Sequence, residues 1–365
     1  MATLLESAQI NKREDLSDLI SIADASATVF STMIPKGAEL GNRKFEWQVD
    51  AYETPTASTT TVIDGRDVDV AYNSTDTVSP RKNGARLTNH GQYWRNSFRV
   101  SPLAAESNTA GYKSEIANGL AKKTIELKRQ IEVTLLGCQA GVAGTDSLGS
   151  VTRGMGMWTS SMLNGSGTPP TTTYGAGAFG DRDDSISTFT GTTPSNFFTP
   201  AGSRVDTVTG SLTDASVQSM LSSIFTKTGA PQGFDLIAGT TLRRAFTNLV
   251  VNATTVVDTD TTVGSISALK SIYGFEQDVA AATFKSTIDV FQGDFGTVRV
   301  HASNFMPTVF CGYVVPMDKV ELRYGFMPRV KNLTDNGGGE GRLIEAFAGL
   351  VVKNPLCLGR FGATS

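Results

Sequence analysis

From residue 102 to 138, apolar side chains return at Ile116, Leu120, Leu127, Ile131 and Leu135, spaced by fours and a seven. That is the period of one helical face. Ser101 followed by Pro102 reads as a cap and first turn. At 1.5 Å per residue, a helix over 102–138 would run roughly 50 Å, long enough to serve as a spine. Lys122 with Glu126 and Lys128 with Glu132 stand four apart and should pair weakly on its outer faces, and Gly119 is its weak spot. A period of two marks the stretch before it. Phe45, Trp47 and Val49 alternate with Glu46, Gln48 and Asp50, while Trp94, Phe98 and Val100 alternate with Tyr93, Arg95 and Arg99. Paired antiparallel, the two runs would make a hairpin over 42–100 whose acids on one strand face arginines on the other. The polar stretch 53–86 between them, Thr-rich and containing Asp64-Gly-Arg-Asp67, would project from the body.

Elsewhere the pattern changes character. Residues 1–41 read as an arm, with a short helix at 15–25 (Leu16, Leu19, Ile20 and Ala23 on one face), an extended apolar run at 26–35 and a turn at Pro35-Lys36-Gly37. Residues 139–210 are rich in Gly, Thr, Ser and Pro; Arg153 to Trp158 reads as an ordered anchor and 164–203 as a surface insertion. A compact α/β unit follows at 211–300. It contains a helix from Thr213 or Asp214 to Lys227 that turns Val217, Met220, Leu221, Ile224 and Phe225 inward and stops at Gly229. Next come a buried strand at 234–238, a helix at 240–249 and a strand pair at 286–291 and 297–302 turning through Gly293-Asp-Phe-Gly296. Residues 301–365 return to strands at 312–316, 319–324 and 342–352, the last apolar enough to be buried on both faces. The class is α+β, with 101–210 and 301–365 forming one domain around the spine and 211–300 another.

Charge sharpens this picture. Only 18% of the 365 residues are charged, where roughly a quarter is usual. A chain that buries much of its surface against neighbours depletes charge this way, because an unpaired buried charge is costly. With a net charge of −3 the chain does not resemble a basic nucleic-acid binder. Cys138, Cys311 and Cys357 are scattered and odd in number, so free thiols are expected rather than a disulfide framework or zinc site. The first residues lack a basic n-region followed by an apolar run, so no signal peptide is expected, and no apolar run reaches the roughly 20 residues of a membrane span.

Candidate chemistry is sparse. His90 and His301 lack metal-ligand spacing, and no GxSxG elbow or Walker A motif occurs. Gly175-Ala-Gly-Ala-Phe-Gly180 matches GxGxxG but follows no strand. Asp181 to Asp184 and Asp258/Asp260 lack the closing Glu of a calcium loop, and Gly337-Gly-Gly-Glu-Gly341 reads as a turn rather than an anion nest. The expectation is no enzyme, no cofactor and no metal.

Several segments carry a resemblance in their order and spacing: Arg13-Glu-Asp-Leu-Ser-Asp-Leu-Ile20, Phe45-Glu-Trp-Gln-Val-Asp50, Glu126-Leu-Lys-Arg129, Thr152-Arg-Gly-Met-Gly-Met-Trp158, Gly293-Asp-Phe-Gly296, Val320-Glu-Leu-Arg-Tyr-Gly325 and Val351-Val-Lys-Asn-Pro-Leu356. With them the chain resembles the major capsid (major head) proteins of tailed bacteriophages, which have the Hong Kong 97-type fold. The resemblance implies an N-terminal arm, an extended hairpin loop at 42–100, a peripheral domain with the spine helix and an axial domain at 211–300. It implies self-assembly through pentamers and hexamers into an icosahedral virion shell that encloses DNA without reading its sequence. Assembly would take place in the host bacterial cytoplasm, with a separate scaffold, a portal and a possible decoration protein as partners and no membrane. Phe45, Trp47, Asp50, Trp94, Arg95 and Arg99 are the expected contacts between subunits. An encapsulin-like compartment shell is the alternative on the same fold.

Overall fold

The computed structural model describes residues 27–49, 85–106, 114–139, 141–159, 199–205, 212–229, 232–252, 290–307, 310–335 and 337–362. The expected helix at 15–25, residues 164–198 of the expected insertion, both acidic clusters and Asp50 lie outside them, while 199–203 are described, with Thr199 and Ser203 buried.

In chain order the elements are α1 (Val29–Met33), β1 (Lys44–Val49), β2 (Ala85–His90), β3 (Gln92–Val100), α2 (Pro102–Glu106), α3 (Glu115–Leu136) and α4 (Met155–Trp158). β4 (Arg204–Val205), α5 (Asp214–Thr228), β5 (Gln232–Ala238), α6 (Thr240–Asn252), β6 (Val290–Gly293) and β7 (Gly296–Ala302) follow. β8 (Phe310–Val315), β9 (Val320–Leu333), β10 (Glu340–Val352) and β11 (Gly359–Gly362) close the chain. The strands form a pair β1-β2, a three-stranded antiparallel sheet β3-β10-β9 and a six-stranded mixed sheet β4-β11-β8-β5-β7-β6.

The spine is shorter than its periodicity suggests. Ser114 is extended, and its hydroxyl accepts the Ala117 N–H, so α3 starts there with a cap of its own and Pro102 opens the separate α2. Its 22 residues span roughly 33 Å. Leu127, Ile131, Leu135 and Leu136 are buried against β3 and β10. Gly119 is a fitting rather than a defect, because the Phe98 ring lies where its Cβ would stand, 2.6 Å away. The expected pairs on the helix also differ. Lys123 meets Glu126 at 2.7 Å. Glu132 is fully buried and turns inward, where its two oxygens accept the Phe30 and Ser31 N–H groups at 2.8 and 2.7 Å. That carboxylate explains why 29–33 is a turn of helix rather than extended: it satisfies donors at the helix start that would otherwise be orphaned. Pro35 to Gly37 then runs beside β9, with the Gly37 N–H donating to Leu322 O and the Leu322 N–H to Pro35 O.

The six-stranded sheet sorts its residues by alternation. Phe234, Leu236, Ala238, Val298, Val300, Val314 and Phe361 face α5 and α6, meeting Val217, Met220, Leu221, Ile224, Leu242 and Phe246. Ile237, Tyr313 and Val315, one residue out of phase, join the spine core instead. α5 has the expected start and stop: Thr213 and Ser216 form a capping box, and Gly229 ends the helix in the left-handed region. Phe225 is only half-buried and packs on Phe295 at 5.3 Å. The Gly-rich run before β10 does form an anion cradle, filled by the chain itself. Gly337 and Gly339, at φ 88° and 93°, donate their N–H groups to the Asp335 carboxylate at 2.9 and 3.1 Å. Cys138 and Cys357 are free thiols. No helix among the described residues is long and apolar enough to cross a membrane.

Candidate intersubunit surface

β1 does not pair with the strand expected to receive it. It runs antiparallel to β2, with Phe45 opposite Asn89 and Trp47 opposite Leu87. β3 leaves the hairpin and pairs with β10, so Trp94 faces Ala346, Arg95 faces Glu345 and Arg99 faces Gly341. Glu46, the acid of β1, therefore lies opposite Thr88 rather than Arg95 or Arg99. The physical reason lies far along the chain. β10 presents Ile344, Ala346 and Ala348 as a continuous apolar row for Trp94 and the spine helix, while Phe45 and Trp47 of β1 are taken up against Leu40, Val351 and Trp158.

This pairing divides the six expected contact residues. Phe45 packs with Leu40 and Val351 and stacks on Trp47 at 5.9 Å. The Trp47 indole N–H donates to the Val352 carbonyl at 2.9 Å, and its ring lies 5.6 Å from Trp158. Trp94 is buried against α3. These three aromatics fasten the hairpin and β3 to their own chain. Asn89 completes the hairpin root: its amide donates to Leu350 O at 2.6 Å and Thr152 Oγ1 at 3.2 Å, and its oxygen accepts the His90 and Arg153 N–H groups, both at 2.8 Å. The expected anchor at 153–158 is thereby in place, fully buried beneath Trp47.

Arg95 and Arg99 are exposed. They lie on the face of the three-stranded sheet that α3 does not cover, beside Arg329 and Lys331 of β9 and around the buried Glu345 of β10. Glu345 Oε1 accepts from Arg329 Nε at 2.7 Å and Lys331 Nζ at 2.6 Å, while Oε2 accepts the Tyr93 hydroxyl at 2.6 Å. The Lys331 ammonium and the Tyr93 hydroxyl, with Arg329 assisting, hold the carboxyl down to about 2. The same carboxylate, with burial, pushes the Tyr93 phenol up. The Arg329 guanidinium also lies 4.2 Å from the Phe326 ring. Arg329 and Lys331 on Glu345, Arg95 opposite it and Arg99 farther along the sheet, where its guanidinium donates to the Thr334 carbonyl at 3.4 Å, give the face an excess of positive charge. An open cleft of ≈ 590 Å³ adjoins it, lined by Arg43, Tyr93, Ser150, Phe326, Arg329 and Phe347 among others.

Sequence reasoning reached Arg95 and Arg99 but not Glu345, Arg329, Lys331 or Tyr93. The available signal was Glu345 itself, a lone carboxylate inside an apolar strand, which needs cations from its neighbours. As for chemistry, His301 Nε2 lies 3.0 Å from Asp235 Oδ1, with Arg299 at 3.4 Å from the same oxygen. His90 is buried at the hairpin root. Among the described residues no group of three or more His, Cys, Asp and Glu side chains could hold a metal ion.

Comparison with known proteins bears on what this architecture is for. The model of the family described as SU10 major capsid protein matches residues 3–365. Among solved structures, one from Mycobacterium phage Bobi aligns at a TM-score of 0.56 and 10% identity over 100% of both chains. The capsid of cyanophage P-SCSP1u aligns at 0.53 and 9% identity, over 99% of this chain and 96% of that one. A structure from Mycobacterium phage Adephagia aligns at 0.51 and 10% identity, over 100% and 99%. At these identities the likeness is one of fold. No curated protein matches the sequence.

Proposed function

The chain belongs to the SU10 major capsid protein family, which makes it a tailed-phage major capsid protein, and from that premise we propose that it assembles through pentamers and hexamers into an icosahedral shell of the Hong Kong 97 type around double-stranded DNA. The role is structural, and the shell is the virion capsid. The observation that carries the reading is the cation-rich face of the three-stranded sheet, on which Arg95 and Arg99 are exposed. A sheet face that no described element covers, in a protein poor in charge elsewhere, is suited to burial by a neighbour.

In this reading residues 1–41 act as the arm, 42–100 as the extended loop and 211–300 as the axial domain, while 101–210 and 301–365 make the peripheral domain. Arg95 and Arg99 are the contacts offered to a neighbouring subunit. Phe45, Trp47 and Trp94 serve the interface indirectly, by fixing the hairpin root and β3 from within. A two-stranded ribbon is marginal by itself, so β1-β2 gains from lying against a second subunit. Assembly takes place in the bacterial host's cytoplasm with a separate scaffold, a portal and a decoration protein as partners. The DNA is enclosed without base-specific contacts.

The test is negative-stain electron microscopy of the chain expressed alone in a bacterial cytoplasm. Closed shells, or rings of five or six subunits, are the expected outcome. A folded protein that stays monomeric even with its scaffold present would overturn the reading.

A further inference from the structure

Residues 27–40 are bound to the body by contacts of different kinds. Phe30 and Ile34 fill the spine core, and Leu40 packs with Phe45 and Val351. The backbone pairs with the start of β9: Gly37 donates to Leu322 O, Leu322 to Pro35 O and Leu40 to Tyr324 O. The last contact is electrostatic. Glu132 is fully buried in the spine, and its carboxylate accepts from the Phe30 and Ser31 N–H groups at 2.8 and 2.7 Å. Among the described residues no cation pairs with it, so α1 supplies its partners.

A buried carboxylate without donors is costly. Glu132 therefore acts in opposite senses on the two parts it joins. It stabilises residues 27–40, which bring the donors. It penalises the spine core whenever they are absent, because the charge then sits beside the buried Ile131, Leu135 and Leu136. For the core alone, an apolar side chain of similar size would serve better.

The same contact fixes a direction. Glu132 stands two residues before Thr134, whose hydroxyl meets the Trp94 indole at 3.4 Å, and Trp94 lies opposite Ala346. Pro35 and Gly37 bond to Leu322, which lies opposite Leu350. The chain thus joins the body near the Ala346 level of the sheet and runs to the Leu350 level before turning along β9. Past Leu40 it is exposed at Gly41, Asn42 and Arg43, and a Cβ at Gly41 would meet nothing within 4 Å, which leaves room for a hinge.

We propose that residues 27–40 are a charge-locked strap. While Glu132 carries its charge the strap must be seated. When that charge is neutralised the strap lifts as a unit about 41–43 and leaves the spine core standing. The device is internal to one chain and does not depend on the shell-forming reading above.

Amide hydrogen exchange on full-length Glu132→Gln and Glu132→Leu tests it. Gln keeps the shape but sets an NH2 group against a backbone donor, and Leu keeps roughly the volume with no polar atom. In both, protection at Ile34, Gly37 and Leu40 should fall about tenfold or more, since two bonds to a charged acceptor are lost. Gly37 and Leu40 are bonded to β9 and not to Glu132, so their loss reads the strap moving as one. Protection across Leu127–Leu136 should hold at the wild-type level or rise, most clearly in Glu132→Leu.

Strap protection that is unchanged in Glu132→Leu defeats the lock. Loss confined to 30–34, with Gly37 and Leu40 unmoved, defeats the strap as a unit. Protection that falls equally at 34–40 and 127–136 makes Glu132 an ordinary part of the core and overturns the proposal. If Glu132→Gln does not fold, Glu132→Leu carries the test, and failure of both to fold by circular dichroism also overturns it, because the core is expected to stand without the charge.

Discussion

The two cores of this molecule close in different ways. Around α5 and α6 the six-stranded sheet meets its helices through an apolar core, from Val217 and Phe246 to Phe361, with Arg243 reaching the Val300 carbonyl and Gln218 the Asp294 N–H at its margin. Most of those residues lie within 212–315, so this half is largely local. The spine half is assembled from distant pieces and fastened by polar groups: Glu132 holding the start of α1, Asn89 holding the hairpin root, and Trp47 reaching Val352. Among the described residues one face of its three-stranded sheet is left uncovered, with Glu345 paired there to Arg329 and Lys331. An apolar interface is non-directional and tolerates small shifts, whereas a hydrogen-bonded latch specifies a single geometry. The half proposed to present a surface to a neighbour is the half whose geometry is specified by latches.

The largest expected effect tests the closed half. Phe246→Ala removes a fully buried ring packed edge-on to Phe361 at 5.6 Å and should cost about 3–5 kcal/mol in denaturant unfolding. A loss under about 1 kcal/mol would show that this core is not the tight apolar unit described. A smaller effect is expected at the latch. Asn89→Ala leaves the Leu350 carbonyl and the Arg153 N–H without their partner and should cost about 1–3 kcal/mol. Its signature should be local, with faster amide exchange across 85–90 and little change in α5 and α6. Exchange that rises equally everywhere would erase the contrast between the halves.

The smallest effect belongs to pH. Glu345 sits at about 2 in the folded chain against a usual 4.5, so it binds protons less readily folded than unfolded. Its contribution is complete above about 4.5 and disappears as pH falls toward 2. Arg329 and Lys331 are half exposed, and solvent screening keeps the gain modest. Unfolding curves of wild type and Glu345→Gln should converge across that window, and a constant gap down to pH 2 would show that the carboxylate is not ionised by its neighbours.

The same division explains what could be read from the sequence. α5 with its Thr213 cap and Gly229 stop, β5, α6 and the turn between β6 and β7 carry their signals within a few residues, and each was legible. The partner of β3 was not. Tyr93 and Glu345 lie 252 residues apart, and nothing near either names the other. The single periodic run at 102–138 concealed a second helix start, because Ser114 caps as well as Ser101 does and a hydrophobic period does not register a cap. At the candidate surface, alternation put Arg95 and Arg99 on one face correctly. It could not supply Arg329 and Lys331, which join that face only through β10.

The span between β3 and β10 also matters while the chain is being made. At roughly 5–20 residues per second, β3 exists for roughly 13–50 s before its partner has been synthesised. Through that interval its ladder donors and acceptors are unmatched and Trp94 has only α3 to lie against, whereas most of the α5-α6 half can already fold behind it. An unpaired edge in a crowded translation site invites pairing with the wrong chain, and here the neighbouring chains are identical copies. The polar-and-basic alternation along β3, with Gln92, Arg95, Asn96 and Arg99 spaced through it, acts as a gatekeeper against premature contact until the last strand arrives.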